Sequence, residues 1–299
     1  MDNAIPLKTR TSGLRNTNPT MALVSKVLIY SVLIVGAIIC LFPFFWMVST
    51  SLMTLGETLQ LRLLPAVPQW NNYSYEELFK RAKFDKYFLN SVLITAGTVA
   101  GLLITSILAA YAFARIKFKG SNLIFMLFLA TMMIPESVTL IPNYLMIRGN
   151  ILPIPGGSWM NTYWALTIPF IANAFSIFLL KQFFQQVPNE LWDAARMDGA
   201  DHMRFLVQIV LPISKAPIMT VILFGFTGSW NAFSWPLIVT STDKWRTMMI
   251  GLWNFVGEAG TETNLLMAGA VITLIPILVL YLFTQKQFTQ GIATTGLKG

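Results

Sequence analysis

The chain has 299 residues, of which 55% are hydrophobic and only 11% charged, with a mean hydropathy of +0.62. Soluble domains carry about twice that charged fraction, and one soluble core cannot hide so much apolar surface. A soluble fold is therefore excluded, lipid must solvate much of the chain, and the net charge of +8 reads as membrane topology rather than nucleic-acid binding.

In chain order, Met1 to Pro19 is polar and basic and has no clear cleavage site after it, which predicts a tail leading into an uncleaved first helix. The first charge-free run, Val27 to Val48, contains Cys40, the single cysteine, so no internal disulfide can form. The loop from Leu52 to Asp85 follows, with Trp70, Tyr73 and an amphipathic stretch from Tyr75 to Phe84 suited to the membrane boundary. Tyr87 to Ala114 is the second apolar run and Gly120 to Pro135 the third. A spanning helix needs roughly 20 residues, so the third is expected to run on past Pro135 and Glu136. The fourth is expected over Tyr163 to Leu180, the fifth within Ala216 to Thr242 and the sixth over Thr263 to Gln285. The expected fold class is an all-α membrane protein with six transmembrane helices.

Six spans leave both termini on one side. With that side cytoplasmic, the inside segments hold most of the basic residues, including Lys8, Arg10, Arg15, Lys26, Lys181, Arg196 and Arg204. The cluster Arg115, Lys117 and Lys119 in a very short loop is the strongest of these signals. Both termini are accordingly expected in the cytoplasm.

Two polar segments interrupt the spans, Lys181 to Arg204 and Ser229 to Glu262. In the first, Asn189 is an expected N-cap, Glu190 and Asp193 place negative charge in the first turn, and Gly199 is a natural stop. These bounds predict a helix of about nine residues, roughly 14 Å long, too short to be stable without other contacts. Leu191, Ala194 and Ala195 are expected on one face, which would form a docking knob. Asp201 is placed to cap a second helix leading into the fifth span, with Pro212 and Pro217 bending the approach.

Asp193-Ala194-Ala195, Gly199 four residues later, then Ile209-Val210-Leu211-Pro212 resembles the EAA loop of ATP-binding-cassette importer permeases. The departure is Asp193 in place of glutamate, which keeps the carboxylate. Ser229 to Thr240, Arg246 to Leu252, Val138 to Pro142 and Gly291 to Gly299 resemble the carbohydrate-uptake, MalG-like branch of those permeases. The resemblance implies an importer-type permease fold with a cytoplasmic coupling helix. It also implies coupling to an ATPase through Glu190, Leu191, Asp193, Ala194, Ala195, Gly199, Ile209, Leu211 and Pro212. The implied partners are a second homologous permease, two ATPase subunits that bind ATP and Mg, and an extracytoplasmic substrate-binding protein contacting Thr240 to Glu262. Gly291, Gly296 and Lys298 of the tail would approach the ATPase pair.

Aromatic rings stack on sugar faces, so Trp230, Asn231, Phe233 and Trp235 are candidates for a sugar path, against a plain interfacial anchoring role. Glu136 is an acidic residue in an apolar region, expected at a helix break near the outer surface and a weaker candidate for the path. The expected organisation is a tail at 1–26, a first helix and external loop at 27–85, a five-helix core at 86–288 with the coupling loop at 188–212, and a cytoplasmic tail at 289–299. A P-loop is absent, since no glycine precedes Lys119-Gly120-Ser121 at the required spacing. One histidine and one cysteine make no zinc site of the usual kind, and His202 reads as a surface or partner contact. No catalytic residue and no cofactor is expected in this chain. Glycerol-3-phosphate is the alternative substrate, and an ion-coupled transporter the alternative class; paired mid-membrane ionisable groups, which that class needs, are not visible.

Overall fold

A computed structural model describes residues 19–60, 62–68, 73–149, 155, 157–257 and 260–295. Trp70, the basic tail before Pro19, and Gly296 and Lys298 lie outside them.

The described residues are mostly helical. α1 (Pro19–Ser51), α4 (Phe84–Arg115) and α15 (Thr263–Thr295) are the long elements. At 1.5 Å per residue each reaches about 50 Å, more than the roughly 30 Å of a hydrocarbon core. All three are long and apolar enough to cross a membrane, and three bent helix pairs raise the possible spans to 6.

The first bent pair corrects the expected third span. α5 (Ser121–Thr131) stops short of Pro135, and α6 (Glu136–Arg148) leaves at 101° to it. Alone, α5 rises only about 16 Å. Pro135 has no N–H to continue the helix and disfavours helical geometry at Ile134. The expected fourth span is itself two pieces, α7 (Tyr163–Thr167) with a short 3-10 turn and α8 (Ala174–Gln185), bent by 43°. Asn173 caps α8, its side chain accepting from the Ser176 amide at 3.1 Å.

Between α1 and α4 lie α2 (Leu55–Thr58) and α3 (Tyr73–Ala82); α3 is the expected amphipathic element of the first loop, and its Leu78 is fully buried. After α8 come α9 (Asn189–Met197), α10 (His202–Phe205), a π-helical turn over Leu206–Val210, α11 (Leu211–Ile213) and α12 (Lys215–Trp230). The chain turns by 83° at Ser214 between the α10–α11 segment and α12, in the Pro212–Pro217 region where the sequence placed a bend. α13 (Ser234–Val239), α14 (Met248–Trp253) and the antiparallel pair β1 (Val256–Gly257) and β2 (Gly260–Thr261) complete the segment before α15.

Three clusters hold these helices. One joins α4, α8 and the α10–α12 region through Leu102, Tyr111, Leu180, Phe184, Phe205 and Val221. A second joins α3, α4, α12, α14 and α15 through Leu78, Phe84, Trp230, Met248 and Leu265. The third packs Ile94, Ile147, Ala165, Trp235 and Val239. α1 stands apart, packed on α15, and from Leu23 to Phe45 its apolar side chains, with Cys40, are exposed.

Candidate functional site

α9 spans Asn189–Met197, the nine residues expected. Its start differs from expectation. Pro188 is the N-cap and makes no side-chain bond, while Asn189 is already helical. The Asn189 Oδ1 instead accepts from Arg115 Nη1 at 2.8 Å. The same guanidinium donates from Nε to the Phe184 carbonyl at 3.1 Å and from Nη2 to the Val187 carbonyl. Arg115, the last residue of α4, thus ties together the end of α8 and the start of α9.

The end of α9 follows the sequence. Gly199 has φ +75°, the Ala200 amide donates to the Ala195 carbonyl at 2.9 Å, and the Gly199 amide donates to the Arg196 carbonyl at 3.0 Å. This is the Schellman arrangement, which uses a left-handed residue to satisfy the last carbonyls. Asp201 caps α10, its carboxylate accepting from the Arg204 amide at 2.8 Å.

A ring stack fixes the orientation of α9. Trp192 lies flat on His202, with centroids 4.4 Å apart and planes 15° apart, and its edge meets Phe205 at 5.0 Å. His202 Nδ1 is 2.9 Å from the Tyr111 hydroxyl on α4. His202 thus braces α4 against α9 while staying exposed at the surface, where the sequence placed it. With Trp192 turned inward, Ala195 follows it and is 6% exposed. This corrects the expected docking face: Ala195 belongs to the chain's own core. Asn189, Glu190, Leu191, Asp193, Ala194, Arg196, Met197 and Asp198 are exposed, and Met197, at 84%, is nearly bare. Ile209 and Leu211 pack partly against the same core, while Pro212 is exposed.

The proposed path residues scatter. Trp230 is buried, stacked on Phe226 at 5.4 Å and edge-on to Phe88 at 5.8 Å, and its indole N–H donates to the Thr273 carbonyl at 3.1 Å. Trp235 is buried too, donating to the Ala165 carbonyl at 2.9 Å. Both indoles are thus satisfied inside this chain and offer no ring face to a passing sugar. Asn231 is exposed just past α12, and Phe233 packs on Trp253 at 5.3 Å. Glu136 is exposed in the first turn of α6, where the helix dipole favours a carboxylate. The five are not one lined site. Gly291 lies within the last turns of α15.

The loop after α13 is bound to the opposite end of α4. The Asn161 side-chain oxygen, at a left-handed residue with φ +59°, accepts from the Ser241 and Thr242 amides at 2.7 and 2.9 Å. Asp243 accepts from Lys83 Nζ at 2.8 Å and from the Tyr87 hydroxyl at 3.1 Å. The Lys83 ammonium holds the Asp243 carboxyl below its ordinary value, and Asp243 in return raises Lys83. Asn90 donates to the Lys244 and Arg246 carbonyls at 3.1 and 2.9 Å, and Ser91 accepts from the Met248 amide.

α4 thus carries a bonded loop at one end and the braced short helix α9 at the other. The sequence profile of the binding-protein-dependent transport system inner membrane component family matches residues 97–294, α9 included. The chain belongs to that family. It is 32% identical, over 87% of its length and 93% of the relative's, to the sn-glycerol-3-phosphate transport system permease protein UgpE of Yersinia pestis bv. Antiqua (strain Antiqua). To the arabinooligosaccharides transport system permease protein AraQ of Bacillus subtilis (strain 168) it is 31% identical, over 88% and 92%. Its fold is similar to that of a bacterial ABC transporter involved in the import of the acidic polysaccharide alginate, with TM-score 0.75 at 21% identity, over 90% of this chain and 98% of that one.

Family membership makes this chain a multi-pass inner-membrane transport component. Within that frame, the sequence reading missed Arg115, Tyr111 and Trp192 as the residues that hold α9. In the sequence Arg115 reads only as a topology charge. A signal was present: Trp192 and His202 flank the glycine stop at Gly199, and a tryptophan in a nine-residue helix must find cover.

Proposed function

We propose that the chain forms half of the translocation path of an ATP-driven, binding-protein-dependent importer for sugars or polyols, and couples to an ATPase subunit through α9. The observation that carries this reading is the exposed face of Leu191, Ala194 and Met197 on a helix held rigid by Arg115 and by the Trp192–His202–Tyr111 stack. A short helix fixed at both ends moves as a body, so force applied to that face reaches α4 directly. Glu190 and Asp193 add negative charge beside it. ATP and Mg belong to the ATPase subunits. A second permease completes the path, and an external binding protein meets the segment over Thr240 to Glu262, whose bonds to α4 hold it in place. In this reading both termini and α9 are cytoplasmic, residues 1–26 and 289–299 are tails, 27–85 is an accessory helix with its loop, and 86–288 is the moving core. Gly291, Gly296 and Lys298 would approach the ATPase pair.

Similarity to an arabinooligosaccharide permease and to an alginate importer supports a carbohydrate. Similarity to UgpE favours glycerol-3-phosphate as a second reading. Lys181 does not serve a phosphorylated substrate in this structure, because its Nζ sits 3.4 Å over the Phe125 ring, inside the core. The test is co-purification of the ATPase with Leu191→Glu and Ala194→Glu variants. Loss of the ATPase while the permease keeps its own melting temperature supports the reading; retention in both variants rejects it. Uptake of radiolabelled oligosaccharide against glycerol-3-phosphate then separates the two substrates.

A further inference from the structure

Beside α9 lies a second feature, which shares Asp193 with the proposed docking surface. A groove of about 1470 Å³ runs between α9 and the α4–α5 loop. Its cations are Arg115, Lys117, Lys119 and Arg196, its carboxylates Asp193 and Asp201. These groups are not equally available. Arg115 spends its donors on Phe184, Val187 and Asn189, and Arg196 lies over Trp192 at 5.9 Å. Asp201 is occupied as the cap of α10. Lys117 and Lys119 are exposed and make no ion pair among the described residues.

The two lysines alternate with Ile116 and Phe118, at 40% and 39% exposure, and Leu123 in the first turn of α5 is also exposed. Ammonium groups interleaved with bare apolar side chains, at the joint of two apolar helices, match a surface with headgroups above and acyl chains below. An acidic protein surface would satisfy the lysines but leave Ile116, Phe118 and Leu123 without apolar cover. Basic pockets between spans are the sites where acidic lipid headgroups lodge.

We propose that this groove binds the headgroup of an acidic phospholipid, with Lys117 and Lys119 holding the phosphate and Ile116 and Phe118 resting on the acyl chains. Because Trp192, Asp193 and Arg196 of α9 line the same groove, an occupied groove stiffens α9 against α4. The binding itself does not depend on what docks to the outer face of α9.

The test is native mass spectrometry of the purified full chain in neutral detergent, titrated with phosphatidylglycerol or with phosphatidylcholine. Wild type is expected to retain phosphatidylglycerol selectively, and to lose it as salt is raised. Lys117→Gln with Lys119→Gln should weaken retention roughly thirtyfold, tenfold or less for either alone, while Lys86→Gln leaves it unchanged. Equal retention of both lipids, or full retention by the double variant, overturns the proposal. Displacement of the lipid by millimolar inorganic phosphate also overturns it, since the groove would then be a site for the soluble anion. If the double variant fails to fold, the salt dependence and lipid selectivity of the wild type still decide.

Discussion

At the scale of single residues, α9 separates two kinds of alanine. The spacing of Leu191, Ala194 and Ala195 suggests one face, but spacing does not say what covers it. Trp192 decides that, because a large ring gains more from burial than a methyl group does, and Ala195 turns inward with it. Ala195→Glu is therefore expected to unfold the loop region, since it buries a charge with no partner, and a lowered melting temperature would show it. Ala194→Glu one position earlier should leave that temperature unchanged and act only on the ATPase contact. Gly199 offers a second contrast. A Cβ there meets no atom within 4 Å, but φ is +75°, so the penalty is purely conformational. Gly199→Ala should destabilise by about 1 to 2 kcal/mol, and Gly199→Asn by less, because asparagine tolerates the left-handed region. Equal losses for the two in thermal melts would refute the backbone explanation.

Between elements, close packing depends on missing side chains. A Cβ on Gly97 would come within 1.6 Å of the Tyr163 hydroxyl, pushing α7 away from α4. Gly97→Ala is expected to lower stability, and adding Tyr163→Phe should recover part of the loss, a coupling that a double-mutant cycle measures. The latch around Asp243 is a polar counterpart. Its folded-state pKa lies below the ordinary 3.8, so its contribution is present above 3.8 and is lost as pH falls through the lower folded value. Lys83 is raised above 10.5, so its contribution holds below 10.5 and is lost as pH rises through the higher value. Between those limits the loop should stay latched. Hydrogen exchange over residues 240–248 should be slow at neutral pH in wild type, and faster in Asp243→Asn; matched rates would mean the backbone bonds from Asn90 and Asn161 suffice.

For the whole molecule, the exposed apolar length of α1 and the bare outer faces of α4 and α15 leave lipid or another apolar chain as their surroundings. The proposed orientation can be read directly, since Cys40 is the one cysteine to remove. In a Cys40→Ala background, Lys244→Cys should react with an impermeant maleimide added to whole cells, and Met197→Cys only after lysis. The reverse pattern would invert the topology.

The sequence by itself determined the membrane environment, the long apolar helices α1, α4 and α15, the helix break beside Pro135 and Glu136, both ends of α9 to within a residue, and the bend near Pro212. These are local properties: composition sets the solvent, and prolines, glycines and capping carboxylates act within a few bonds. Only the tertiary structure decided which side of α9 faces out and that Trp230 and Trp235 serve the core rather than a sugar path. Each of those outcomes depends on residues far apart in the chain, Arg115 with Asn189, Tyr111 with His202, Trp230 with Thr273. Helical periodicity shows that a face exists; what lies against it is set by packing.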